Sequence, residues 1–342
     1  MDAEQLFRNH ELAFRTQYGE LKERVRAESR LLPGTPGSLS LRTGTGFPYW
    51  YRVFYPVPNR QAEELVGRED AVDALQNMKD RIEFSAWVSR QVSSLRKLGF
   101  QVGDKAVARV LVELHNRGAF TAGLVLVGTL GYMAWLNELG AIAISARTQD
   151  IDLARRQRLK LAAPLPFLNT MKSTGLPFAA VPGFPSSAPS TSINLPGVQG
   201  LRIDVLAPGE TLGTAIPVPE MDWAAQAIPY YDYLLENPEP GAALAGGHCI
   251  PVLLPQAARL VWHKLYASAN RHGSPEKAEK DRRQALVLAA VLMETDAPAL
   301  EAAFKSAPAP MTEHVKPLYR VLMPRIAHYP ELKELLTACL AT

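Results

Sequence analysis

Asp150 and Asp152 stand two apart around Ile151 near the middle of the chain. In a strand, residues i and i+2 project to one side, so this spacing aims both carboxylates into one space and sends Ile151 into a core. Like charges forced together raise each other's pKa, and a divalent cation between them removes that cost. Mg²⁺, or Mn²⁺ in its place, suits such a pair, because it takes oxygen ligands and is commonly held by one or two carboxylates plus substrate phosphates. Upstream, the aliphatic run Leu124-Val125-Leu126-Val127 breaks at Gly128-Thr129. A strand that turns into a helix there offers free backbone N–H groups, the positive end of a helix dipole, and a glycine that lets a phosphate come close. Two acids and such a turn could together hold a nucleoside triphosphate.

The elements that must position these groups follow from local pattern. Leu130, Met133, Ala134 and Leu136 recur at helical spacing and Gly140 supplies a C-terminal stop, so a helix is expected over about 130–139. Downstream, Pro164 to Thr174 is expected to hold a short helix. The Pro- and Ser-rich stretch 181–200 then forms either a lid or an irregular hairpin leading to a strand at Leu201–Leu206. Ile250–Leu254 has strand character, and from Gln256 the pattern is helical to the end, with Ser274 as an N-cap and Pro275 at the first helical position. Helices over 256–270 and from 275 onward, joined so tightly, would bring Lys264 and Asp281 to comparable levels.

N-terminal to this centre, an amphipathic helix is expected over 3–29, then turns marked by Pro33, Gly34, Gly44 and Gly46 around a strand at Ser38–Leu41. Tyr49–Tyr55 is dense in aromatic residues and completes a hairpin over 38–55. Those rings are either a stacking platform for a base, with Arg42 and Arg52 nearby for phosphate, or the filling of a small β-subdomain, which is the plainer reading. Asp70–Leu98 and Asp104–Asn116 follow as helices. Four positive charges within Arg155–Lys160 would steer a triphosphate or a tRNA-like acceptor, or form a solvated face. The resulting division is an arm over 1–103, a core over 104–254 and a helical domain over 255–342.

Composition sets the class. The chain has 342 residues, 47% hydrophobic and 21% charged, which is ordinary for a soluble globular protein, and its net charge of +3 does not announce a nucleic-acid binder. Cys249 and Cys339 form no metal-spacing motif, and the polar N-terminus does not fit a signal peptide, so a reducing, cytoplasmic setting is expected. Ala119–Leu136 carries no charge and raises a membrane-spanning reading, but Gly123, Gly128, Thr129 and Gly131 interrupt it and no second such segment exists. There is no G-x-S-x-G, H-E-x-x-H or C-x-x-C motif, no dinucleotide fingerprint and no Walker A lysine.

The order aliphatic strand, Gly128-Thr129, helix, then Thr148-Gln149-Asp150-Ile151-Asp152 resembles the signature of the polymerase-beta-like nucleotidyltransferase superfamily, departing only in Thr129 where Ser or Gly is commoner. The C-terminal residues His263-Lys264-Leu265 and Lys277-Ala278-Glu279-Lys280-Asp281 are similar to a region of abortive-infection-type nucleotidyltransferase toxins. The resemblance implies an α+β fold in which a small mixed sheet with helices is flanked by a helix and β-hairpin arm and a C-terminal helical domain. It implies a third carboxylate, Asp204, sharing metal with Asp150 and Asp152, phosphates held at Gly128 and Thr129, and an active site completed by Lys264 and Asp281. Chemically, Lys264 would neutralise triphosphate oxygens and Asp281 would anchor it; otherwise the two form a surface ion pair worth under about 1 kcal/mol. The implied reaction moves an NMP from an NTP to an acceptor hydroxyl, with a tRNA or other RNA end first and a protein hydroxyl second. A cognate antitoxin is the implied partner. The alternative is a catalytically inactive nucleotide- or partner-binding module on the same fold.

Overall fold

The computed structural model describes residues 5–43, 46–57, 59–144, 148–197 and 200–341. The expected turn residue Gly44, part of the connection into Thr148, and two residues of the Pro-rich stretch before Gly200 lie outside them.

The chain opens with a two-residue strand, β1 (Arg8–Asn9), and helix α1 (Leu12–Arg26). The helix is shorter than its charge pattern suggested because residues 8 and 9 pair with Ala141 and Ile142 of the core instead of coiling. Strands β2 (Ser38–Thr43), β3 (Pro48–Val57) and β4 (Arg60–Arg68) form an antiparallel sheet in that order. The expected hairpin is therefore one strand short: Arg60–Arg68 is mostly polar and lacks the apolar alternation that marks a strand. Arg52 is fully buried and binds the carbonyls of Pro33, Thr35 and Pro36 together with Glu64, so it ties the sheet to the preceding loop and is not available for phosphate. Arg42 is paired with Glu63 at 2.7 Å. Helix α2 (Val72–Lys97) follows, then α3 (Lys105–Asn116), whose N-cap Asp104 accepts from the amides of Ala106 and Val107.

Next come β5 (Val125–Leu126), α4 (Gly128–Leu139), β6 (Ala141–Ile142) and β7 (Asp150–Ala154). Gly140 closes α4 at φ +68, the left-handed conformation that glycine adopts without steric cost. Helix α5 (Phe167–Ser173) and strands β8 (Ala179–Ala180), β9 (Ser192–Asn194), β10 (Arg202–Pro208), β11 (Ala215–Val218) and β12 (Trp223–Ile228) complete the sheet. Its order is β11-β12-β10-β7-β5, with β9 on the first half of β10 and β12 on the second half of the same edge. β10 runs parallel to β7, while β5 runs antiparallel to it, so the sheet is mixed. A short helix α6 (Tyr231–Leu234) leads to the hairpin β13 (Glu239–Ala245) and β14 (His248–Leu254). The strand β13 carries Pro-Gly-Ala-Ala, small residues that hide it from propensity.

The C-terminal part is helical: α7 (Ala257–Ala269), α8 (Pro275–Thr295), α9 (Ala297–Lys305), α10 (Ala309–Val315), α11 (Tyr319–Leu322) and α12 (Pro330–Leu340). Ser274 holds the N-cap position of α8, but its side chain makes no capping hydrogen bond. Trp262 of α7 donates its indole N–H to Leu300, which fixes α9 on α7. A buried cluster runs without a break from α1 through the sheet to α12. The architecture is α+β, a small mixed sheet with helices between an N-terminal helix and sheet arm and a C-terminal helical part. Among the described residues no helix is long and apolar enough to cross a membrane.

Candidate active site

The register of three strands assembles the acids. Because β5 is antiparallel to β7, Val127 arrives opposite Asp152 and its amide donates to the Asp152 carbonyl at 3.0 Å. The chain then turns into α4 at Gly128, directly against the Asp152 side chain: a Cβ at Gly128 would lie 1.8 Å from Asp152 Oδ2. On the other side, β10 places Arg202 opposite Asp150 and Asp204 opposite Asp152. Ile151 and Ile203 between them are fully buried, so Asp150, Asp152, Arg202 and Asp204 share the opposite face. The expectation that the two acids of the Asp-x-Asp segment face one space holds.

The oxygens of this face differ in what they touch. Asp204 is engaged: Arg202 Nε donates to its two oxygens at 2.9 and 3.1 Å, and the Ser192 hydroxyl of β9 makes a short contact to it. Arg202 also donates to Ser192 at 2.8 Å, which closes the triangle. No hydrogen bond or ion pair among the described residues reaches the side-chain oxygens of Asp152 or Asp150. The Asp152 pKa is pushed up to about 6, first by burial and then by Asp204 and Asp150, with Lys264 and Lys280 acting against the rise.

A helical wall faces the acids. Lys264 of α7 donates to Asp281 Oδ1 of α8 at 3.2 Å, and each side chain is only 6% exposed. This is a buried pair, not the surface ion pair that adjacent helices usually offer. Arg271 Nε lies 2.7 Å from the other Asp281 oxygen as a charge contact rather than a directed hydrogen bond. Burial alone would raise the Asp281 pKa, but Lys264 and Arg271 outweigh it and hold the carboxyl below its ordinary range. Lys280, next to Asp281 on α8, is half-buried with no acid in direct contact among the described residues. Burial depresses its pKa, Asp281, Asp150 and Asp152 act to raise it, and Lys264 acts to lower it. The Tyr231 phenol is raised well beyond its usual range, first by burial and then by the field of Asp152, which keeps it a neutral hydrogen-bonding group beside the acids.

These features fit a cation and an anion meeting at one place. The side chain of Asp152 is pushed toward protonation and has no hydrogen-bond or ion-pair partner among the described residues. Gly128 keeps the space against it open. The first-turn amides of α4, which begins at Gly128, have no acceptor within their own helix. Among the described residues no group of three or more His, Cys, Asp and Glu side chains is arranged to hold a metal ion, and Asp204 is turned to Arg202 and Ser192.

A family model described as Nucleotidyltransferase matches residues 105–309, more than half of the 342 residues. The chain belongs to this nucleotidyltransferase family. Every site residue named above falls within the matched span. Membership carries the family's general activity, transfer of a nucleotidyl group, and with it an NTP substrate. No curated protein matches this nucleotidyltransferase at significant similarity.

The sequence pointed to Gly128, Thr129, Asp150, Asp152, Asp204, Lys264 and Asp281, and the fold gathers them on two facing walls. It did not single out Lys280, Arg271, Arg202, Ser192 or Tyr231. Lys280 was within reach of the sequence, since it precedes Asp281 and lies 16 positions after Lys264; Ser192 was not, because its place depends on the register of β9 against β10. The basic run after Asp152 is divided: Arg155 pairs with Glu220 at 3.4 Å and Arg156 with Asp232 at 3.6 Å, while Arg158 and Lys160 are exposed. His263 packs, its Nε2 3.3 Å from the Pro229 carbonyl and its pKa lowered to about 4 chiefly by burial.

Gly128→Ala tests the close approach. At φ +65 an alanine carries roughly 1–2 kcal/mol of backbone strain, and its methyl must displace the Asp152 carboxylate. The expected outcome is a folded protein with a melting temperature several degrees lower and Mn²⁺ affinity reduced at least about tenfold, read by calorimetric titration.

Proposed function

We propose that this nucleotidyltransferase moves an NMP from a nucleoside triphosphate to an acceptor hydroxyl on RNA, with a tRNA 3′ end as the first acceptor and a protein hydroxyl as the second. The observation that carries the reading is the Asp152 carboxylate: half-buried, raised to about 6, without a hydrogen-bond or ion-pair partner among the described residues, and pressed against the glycine that starts α4. Asp150 and Asp152 would hold Mg²⁺ or Mn²⁺, with Asp204 joining as Arg202 gives way. The metal supplies Lewis-acid activation of the acceptor hydroxyl and charge neutralisation at the α-phosphate.

The remaining roles belong to the chain itself. The first-turn amides at Gly128 and Thr129 bind the distal phosphates with the positive end of the α4 dipole. Lys264 and Lys280 face the same space and neutralise the triphosphate as charge shifts onto the leaving pyrophosphate. Asp281, contacted by Lys264 and Arg271, fixes where the Lys264 ammonium sits. Arg158 and Lys160, left open after Asp152, supply attraction for a polyanionic acceptor. The polymerase-beta-like core and an abortive-infection toxin role, with a cognate antitoxin, belong to the same proposal and rest on the motif resemblance.

Transfer of label from each α-labelled NTP, with Mg²⁺ or Mn²⁺, into total RNA and total protein tests it. Label entering RNA with the wild type and not with the Asp150→Ala, Asp152→Ala variant is expected. No label in either pool from a folded protein would favour a catalytically inactive nucleotide-binding module. Lys280→Ala is expected to raise KM for the NTP about tenfold while leaving the fold intact, because it removes a lysine with no acid in contact among the described residues; an unchanged KM would remove Lys280 from the triphosphate site.

A further inference from the structure

A cavity of about 250 Å³ lies where the N-terminal arm meets α3 and the β13–β14 turn, and none of its lining residues belongs to the site described above. Lys105 and Arg109 line it from one face of α3, four positions apart, and Ser85 and Ser89 line it from α2 with the same spacing. No Asp or Glu is among its lining residues. The nearest acid in sequence, Asp104, has its carboxylate engaged by the amides of Ala106 and Val107. Arg109 is half-buried, burial lowers its pKa, and no ion pair to it occurs among the described residues.

The third wall is backbone. Gly246 and Gly247 form the β13–β14 turn at φ +51 and +90; a Cβ on the first would come within 2.8 Å of Lys105 Cα, and on the second within 2.9 Å of Ser89 Oγ. The turn is thus packed down onto both helices, leaving Lys105, Arg109, Ser85 and Ser89, with Thr35, Tyr55 and His248, around one solvent-open cleft. A partly buried cation without a partner is costly, and a guanidinium presents a donor fork matched to phosphate oxygens. Two cations and two hydroxyls suit an anion with several oxygens. The volume of about 250 Å³ lies below the roughly 300–1,000 Å³ of cavities that enclose drug-sized ligands, which suits a small anion better than a whole NTP.

We propose that Lys105, Arg109, Ser85 and Ser89 form a second site, separate from the acids, that binds a phosphate group, either as inorganic phosphate or carried by a small sugar phosphate. The site joins the arm to the core, so its occupancy draws α2 and α3 together across the seam.

Calorimetric titration of the full chain with inorganic phosphate and with ribose 5-phosphate, without divalent cation, tests this. Binding is expected to weaken at least roughly tenfold in Arg109→Gln and to be partly restored in Arg109→Lys, while Lys280→Ala binds as the wild type does. Tighter binding of ribose 5-phosphate than of phosphate identifies the sugar phosphate as the ligand; the reverse identifies the free ion. The Ser85→Ala, Ser89→Ala variant, which removes no charge, is expected to weaken binding several-fold and keeps the test open should Arg109→Gln fail to fold. Equal affinity in Arg109→Gln, loss in Lys280→Ala instead, no heat with either ligand, or binding of a short RNA but of neither small phosphate would each overturn the proposal.

Discussion

Asp152→Asn lowers nucleotidyl transfer at least about a thousand-fold, and yet in metal-free buffer at pH 8 it melts above the wild type. Both effects have one cause. The folded-state pKa of Asp152 stands at about 6 against an ordinary 3.8, so between those values the native state holds a proton that the unfolded chain has released. Stability therefore falls as pH rises through that window, and above pH 6 the full cost of an uncompensated carboxylate is present. The shift corresponds to at most about 3 kcal/mol, and Lys264 and Lys280 already moderate it. An asparagine keeps the shape and carries no charge, so it recovers this energy at pH 8 and recovers nothing at pH 3.5. Denaturant melts of both proteins at the two pH values, repeated with Mg²⁺, check the expectation: the metal stabilises the wild type and leaves Asp152→Asn unmoved. A variant no more stable than the parent at pH 8 would show that the carboxylate has a partner in solution.

Lys264→Met destabilises the fold by roughly 3 kcal/mol, because it leaves Asp281 buried with Arg271 as its remaining contact. Adding Asp281→Leu restores most of that loss, since a buried ion pair replaced by apolar side chains of similar volume is often neutral or stabilising. Transfer activity does not return with the stability. The lysine serves the triphosphate as well as the aspartate, and only the second of these duties is met by removing both charges. A double-mutant cycle in urea, with activity assayed on the same four proteins, separates the two; recovery of activity in the double variant would confine the pair to a structural role.

How much of this was legible depended on how local each signal was. The face shared by Asp150 and Asp152 follows from the period of a strand, and Gly128 follows from an aliphatic run ending in a glycine, so both could be read within a few residues. Lys264 and Asp281 could be named only through their motif, and nothing in their spacing says that the pair is buried; that depends on α7 and α8 packing on each other and on α4. The engagement of Asp204 by Ser192 required knowing the register of an irregular antiparallel hairpin whose first strand, β9, lies inside the Pro-rich stretch. β4 and β13 escaped because polar and small residues carry little strand signal, and Arg52 suggested phosphate because an exposed arginine and a buried one look alike in sequence.

Arg202 gives the metal-free protein a built-in competitor. A divalent ion arriving alone meets two carboxylates, finds the third already neutralised by an arginine two residues away on the same strand, and is repelled by the lysines of the facing wall. The same ion arriving on a triphosphate brings negative charge that those lysines attract and that Arg202 can follow when it leaves Asp204. In the proposed reading, free metal therefore binds more weakly than metal carried on a nucleotide, and the rate follows the concentration of the metal–nucleotide complex rather than of free metal.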